Sequence, residues 1–227
     1  MEDVGRDSGS EATGSAARQA GPTGLRDRKL IYIPIVHTAA DMGSLGASIR
    51  GRKLSALGRQ GLARQAEAVD KMWERIESVT AGLSFSQGTV RVYQDGLPVC
   101  GRENRIVADL AGTGNRNHRL LLDLEARGAI LMGTESPELL VEEYQLAAAA
   151  FASGAALGTA DRQQKLRNSL LEKRDRFIAR RINATLNTGE SGVLFLGLLH
   201  DVTTFLDSAI EVSYPLGRPG VRQASAR

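Results

Sequence analysis

The chain has 227 residues, 42% apolar and 24% charged, which suits a globular domain with a sizeable core and excludes a low-complexity or fibrous protein. Its formal net charge of +3, partly carried by Arg218, Arg222 and Arg227, is too small to imply a nucleic-acid partner. A single cysteine, Cys100, excludes an intramolecular disulfide and any four-cysteine metal site.

Residues 1–27 are rich in Gly, Ser, Ala and charge and nearly free of large apolar side chains. They cannot bury enough surface to offset the cost of ordering, so they read as a disordered tail, as do 218–227. That leaves 28–217 as one domain. No apolar run precedes Leu30, which argues against a secretory leader. Leu146–Ala152 and Val193–Leu199, the longest apolar stretches, fall far short of the roughly 20 residues of a membrane helix. A cytoplasmic protein with no membrane partner is expected.

The folded part opens with Leu30-Ile31-Tyr32-Ile33-Pro34-Ile35-Val36, a continuous apolar run that suits a strand buried on both faces. A loop over 37–44 follows. Helical spacing of Leu62, Val69, Met72, Trp73 and Ile76 predicts a helix over about 54–79. Thr89–Tyr93 reads as a strand with a turn at Asp95-Gly96. Residues 116–127 form a helix capped by Gly128, with His118 as a solvated or capping residue. Ala129–Met132 is a third strand, ending in Gly133-Thr134-Glu135. Ser136 and Pro137 open a helix over 138–157. A long helix spans about 162–187, and Gly192–Gly197 is the last clear strand. Strands alternating with helices predict an α/β fold, with a mostly parallel sheet, helices on both faces and a site at the C-terminal edge of the strands.

Two of the three histidines, His37 and His200, follow the two most apolar strands by the same short offset. If those strands are parallel neighbours, the two imidazoles converge, as metal ligands or general bases. The alternative is a pair of ordinary loop histidines. Glu135 ends the third strand in the same manner. It completes a two-histidine, one-carboxylate set for a divalent metal, or orients water, or is simply a carboxylate at a helix N-terminus. Asp41 and Asp201 read as turn formers.

On the long helix, Leu171, Ile178, Ile182 and Leu186 define the apolar face, and a wheel places Asp175 among them with Arg174 at the edge. Charges on a core-facing stripe are costly unless paired or lining a cavity. Either they line a pocket, with Arg174 steadying negative charge and Asp175 buttressing an arginine or histidine, or they form an internal ion pair that tethers the helix to the sheet. Arg176, Arg180 and Arg181 read as a solvated face.

The string Lys173-Arg174-Asp175-Arg176-Phe177-Ile178-Ala179, then Ile182, then Gly192-Val193-Leu194-Phe195-Leu196-Gly197-Leu198-Leu199-His200, resembles the C-terminal signature of the TraB/PrgY and Tiki superfamily, which also takes in erythromycin-esterase-like and ChaN-like proteins. The matching positions are Arg174, Asp175, Gly197 and His200 in a Gly-x-x-His motif. The resemblance assigns His37 and Glu135 to an earlier Gly-x-x-His and to a middle strand ending in glutamate, although Pro34 stands where the first glycine is expected. It implies metal-dependent proteases, esterases or haem-binding proteins.

Other chemistries are excluded. The glycine-rich basic stretch Gly43–Lys53 lacks the Gly-Lys-Ser/Thr of a phosphate loop and reads, with Arg59 and Arg64, as a lid or a solvated basic helix start. Aromatics make up only 4% of the chain, which argues against stacking on single-stranded nucleic acid. There is no Gly-x-Ser-x-Gly elbow, and Cys100 reads as buried and inert.

The expected function is a hydrolase of esterase or peptidase type, with His200, Glu135, Arg174 and Asp175 catalytic. His37, Glu135 and His200 are the expected ligands of a divalent Mn, Co or Zn ion, and the substrate is a small molecule or peptide. The alternative is a non-catalytic ligand-sensing or haem/metal-binding domain.

Overall fold

A computed structural model describes residues 28–36, 46–85, 88–152 and 160–219. The chain runs β1 (Arg28–Ile35), α1 (Gly46–Ala81), β2 (Val90–Gln94), α2 (Glu103–Gly112), α3 (Arg116–Ala126), β3 (Ile130–Met132), α4 (Pro137–Ala152), α5 (Ala160–Thr185), β4 (Ser191–Gly197), a 3-10 turn (Thr203–Phe205) and β5 (Ile210–Ser213). All five strands are parallel, in the order β3-β2-β4-β1-β5.

Because side chains alternate along a strand, each central strand feeds two cores. Ile33, Ile35, Val193 and Phe195 meet Trp73 and Ile76 of α1, Val107 of α2 and Leu121 of α3 on one face. Leu30, Tyr32, Leu194 and Leu196 meet Ile178 and Ile182 of α5, and Leu186 just past its end, on the other. The expected α/β architecture, with helices on both faces, is what forms.

From β1 through β3 the chain moves one way across the sheet over the α1–α3 face. It returns over the other face through α4 and α5 and inserts β4 between β2 and β1. Such a reversal opens a crevice at the carboxyl ends of the strands. β1 and β4 are parallel neighbours and end level, Ile35 opposite Gly197. Pro34 is tolerated because β5 flanks only Arg28–Ile31.

Two elements escape sequence periodicity. In α2 only Val107 and Ala111 are buried, too few to set a helical stripe. β5 is a four-residue edge strand in which Ile210 alone is fully buried. α1 starts earlier than expected, at Gly46, and kinks at Gly58, whose φ of 65° is outside the helical region. The expected loop at 37–44, the N-terminal tail and the last turn of the expected 138–157 helix lie outside the described residues. Of the expected C-terminal tail, Arg218 is described, and it donates to Thr203 Oγ1 at 3.3 Å.

Candidate functional site

Three strand ends and one helix build the site. Past β2, Asp95 N donates to Phe195 O at 2.9 Å, and Asp95 Oδ2 accepts from Gly197 N at 2.8 Å. The carboxylate is thus clamped across the ends of β2 and β4. Past β3, Thr134 N and Glu135 N both donate to Leu97 O, and Val99 N donates to Glu135 O at 2.9 Å. The chain fits under this loop only because residue 133 is glycine: a Cβ there would lie 2.7 Å from Val99 Cα and 2.9 Å from Pro98 O. Glu135 is thereby held fully buried.

α5 supplies two consecutive charges that diverge. Arg174 Nη2 lies 2.5 Å from Glu135 Oε1 and 2.9 Å from Asp95 Oδ1, Nε lies 3.1 Å from Glu135 Oε2, and Nη1 reaches the half-exposed Glu143 at 2.6 Å. Asp175, about 100° further round the helix, turns toward β4. Its Oδ1 is 2.5 Å from His200 Nδ1, and its Oδ2 accepts from Asp201 N at 3.1 Å. The two residues do not pair with each other; each engages a different strand end, so buried ion pairs do tie the helix to the sheet.

His200 follows β4 through a turn closed by its own N–H to Gly197 O at 3.1 Å. With Nδ1 on Asp175, its Nε2 stands 3.7 Å from Asp95 Oδ2. Tyr32 Oη donates to His200 O at 3.3 Å from below. Beside His200 a shallow open pocket is lined by Tyr32, Thr203, Tyr214 and Arg218.

The electrostatics follow from burial. Of three buried carboxylates, Asp95 and Glu135 share one buried guanidinium, Arg174, while Asp175 faces His200. Burial pushes Glu135 above the ordinary carboxylate range, against the opposing pull of Arg174. Burial pulls His200 down, but its hydrogen bond to Asp175 and the charge of Asp95 outweigh it, and the net shift is upward. Burial disfavours the Arg174 cation, but Glu135 and Asp95 hold it charged. Tyr32 is raised by burial and by Asp175 and Asp201, so it stays a neutral donor.

Asp95, Glu135 and His200 each offer one ligand atom, and these atoms lie within 4.8 Å of one another with all three residues buried. One imidazole nitrogen and two carboxylate oxygens are a donor set suited to Zn, Mn or Co, and the group could hold such an ion. The negative excess around Arg174 is what a dication would neutralise. The fit requires Arg174 to yield some of its hold on Glu135, since it now takes both oxygens.

The structure thus brings together Glu135, His200, Arg174 and Asp175, as expected. His37 and Asp41 lie outside the described residues, so of the expected His37–Glu135–His200 set two members are described, and these two converge. Asp95 was missed: Asp-Gly after a strand is a turn signal, and a turn does form there. The same strand-end position that singles out Glu135 could have found it. Three other expectations are corrected. Cys100 is exposed rather than buried, because it sits in the loop that crosses over Gly133. Arg181 is not merely solvated, since its Nε donates to Gly133 O at 3.0 Å. The N-cap of α3 is Asn115, whose side chain accepts from His118 N, so His118 is capped rather than capping, while Gly128 closes the other end with a φ of 99°.

No family model, curated protein or solved structure matches this chain. The chemistry of the cluster itself is what speaks to function. Among the described residues, no helix is long and apolar enough to cross a membrane.

Proposed function

We propose that the chain is a metal-dependent hydrolase acting on an ester or peptide bond of a small-molecule or peptide substrate, with its centre at Asp95, Glu135 and His200. The observation that carries this is the convergence of those three buried side chains within 4.8 Å at the sheet's carboxyl edge, with Asp175 behind His200. A carboxylate on the far nitrogen of a histidine is the usual support of a metal-ligating imidazole. The resemblance to the TraB/PrgY and Tiki superfamily favours the same reading.

The chemistry such an ion supplies is activation of water at neutral pH and polarisation of a carbonyl oxygen. The chain's own residues do the rest. Asp175 fixes the ring of His200, so that Nε2 faces Asp95. Arg174 holds Glu135 in one orientation and keeps a positive charge beside the carboxylates, where it can steady negative charge on a reacting oxygen. Metal ligands bind in their deprotonated forms, so the site fills more tightly as pH rises.

Calorimetric titration of chelator-treated protein with Mn, Co and Zn tests this. About one ion per chain is expected, with binding lost in Asp95→Asn and in His200→Ala. A folded protein whose melting temperature ignores all three ions would end the metal reading.

One observation favours a second reading. Arg174 takes both oxygens of Glu135 and reaches Glu143 on α4, the pattern of a network that tethers α5 to the sheet in a non-catalytic, ligand-sensing domain. In that case metals are ignored and Glu135→Gln changes stability alone. Haem carriage through His200 is disfavoured by its burial between Asp175 and Asp95.

A further inference from the structure

β2 runs one residue further than its pairing with β3. That pairing ends with Tyr93 opposite Met132, whereas β2 continues to Gln94. Successive N–H groups of a parallel strand point to opposite neighbours. Asp95 N donates to Phe195 O of β4, so the N–H of Gln94 points the other way, past the end of β3. Gln94 is buried, and a buried N–H without an acceptor is costly.

The acceptor is a side chain. Thr134 Oγ1 accepts from Gln94 N at 2.9 Å and donates to Met132 O at 2.9 Å. A hydroxyl can accept and donate at once. It therefore stands in for the next β3 carbonyl while the backbone turns out of the strand. Branching at Cβ restricts χ1, which helps to hold the hydroxyl in that direction, and Thr134 is fully buried.

Thr134 also holds the chain from a second side, because its own N–H donates to Leu97 O at 2.9 Å. Gln94 and Leu97 flank Asp95 and Gly96, and Glu135 follows Thr134 directly. One residue thus grips the end of β2 on both sides of one carboxylate and carries the other carboxylate at the next position. The outcome is visible at Arg174. Its Nη2 lies 2.9 Å from Asp95 Oδ1 and 2.5 Å from Glu135 Oε1. A single nitrogen serves both only while the two strand ends keep this separation. The hydrogen bonds of Arg174 go to Glu135, Asp95 and Glu143 and not to Thr134, so any influence of Thr134 on it runs through the strand ends.

We propose that Thr134 is a positioning residue whose hydroxyl fixes the separation of Asp95 from Glu135, and with it the geometry of the cluster. Its consequence for metal binding rests on the reading of Asp95, Glu135 and His200 as ligands; the separation itself needs no ion. Ligand sets depend on supporting groups of this kind, which touch neither metal nor substrate.

Two substitutions divide the hydroxyl from the packing. Thr134→Val keeps the bulk and the branching but leaves Gln94 N without its acceptor. Thr134→Ser keeps the hydroxyl but loses a buried methyl group, so it also lowers stability. The full-length protein, treated with chelator, is titrated calorimetrically with Zn alone. Thr134→Val should bind about tenfold or more weakly than wild type. Thr134→Ser should stay close to wild type even where its urea midpoint has fallen. Should Thr134→Val fail to fold, Thr134→Ala takes its place with the same expectation. Undiminished affinity in the variant without the hydroxyl, or a serine variant equally weakened, overturns the proposal.

A second readout needs no metal. Arg174→Met should lower the urea midpoint of wild type more than that of Thr134→Val, in which the arginine no longer finds both carboxylates in register. Additive losses overturn the proposal whatever Zn does. If wild type ignores Zn, the metal reading falls and this cycle alone decides.

Discussion

His200 Nδ1 lies 2.5 Å from Asp175 Oδ1, and this contact ties the end of β4 to the middle of α5. The pair is buried, so the ring has one orientation, and only Nε2 remains for chemistry at the cluster.

Asp175→Asn keeps the shape but removes the charge that holds His200 protonated more readily than a free imidazole. Titration of the ring by NMR in the metal-free variant should show a lower pKa than in the wild type. Metal affinity should fall about 10–100-fold, the usual effect of losing such a support. An unchanged ring pKa would remove Asp175 from this role.

Among the described residues, Arg174 is the only buried arginine or lysine. Arg174→Met strands Glu135 and Asp95 and should cost about 3–5 kcal/mol in chemical denaturation at pH 7. Adding Glu135→Gln removes one of the stranded charges and should return part of that loss. Additive losses would mean that the pair is not coupled.

Gly133→Ala places a methyl group against the backbone of residues 98 and 99, which cannot swing aside as a flexible side chain would. A loss of about 1–3 kcal/mol is expected, with displacement of Glu135. Metal affinity should drop together with stability, and a neutral substitution would refute the close packing of this crossing.

Glu190 offers a pH test away from the site. Its hydrogen bonds to Arg91, at 2.5 and 2.8 Å, hold it down to about 2. A depressed carboxylate stabilises the fold above its unfolded value of about 4.5, and that contribution is lost as pH falls toward 2. Wild type should therefore be more stable than Glu190→Gln at pH 7, and the gap should narrow steadily on acidification below 4.5. A constant gap between pH 7 and pH 2 would contradict the assignment.

The legible parts of this chain share a cause. β1 and β4 are continuous apolar runs because both faces of an inner parallel strand are covered, so they stand out without any partner being known. Arg174 and Asp175 stand out because charges on an apolar helical stripe have few permissible explanations. α2 and β5 are silent because each buries only one or two side chains and is held in place by neighbours the sequence does not name.

Composition, periodicity and position along the chain determined the α/β class and singled out Glu135, Arg174, Asp175 and His200, which the fold brings to one cluster. Only the tertiary structure decided how these charges are shared. Arg174 and Asp175 are neighbours in sequence, yet the helix turns one to β2 and β3 and the other to β4. Asp95 joins them because β4 inserts beside β2, bringing residues 95 and 200 together across more than a hundred positions. Local pattern reports which side chains must be buried; which buried charges meet depends on strand order, and strand order is set by packing between distant segments.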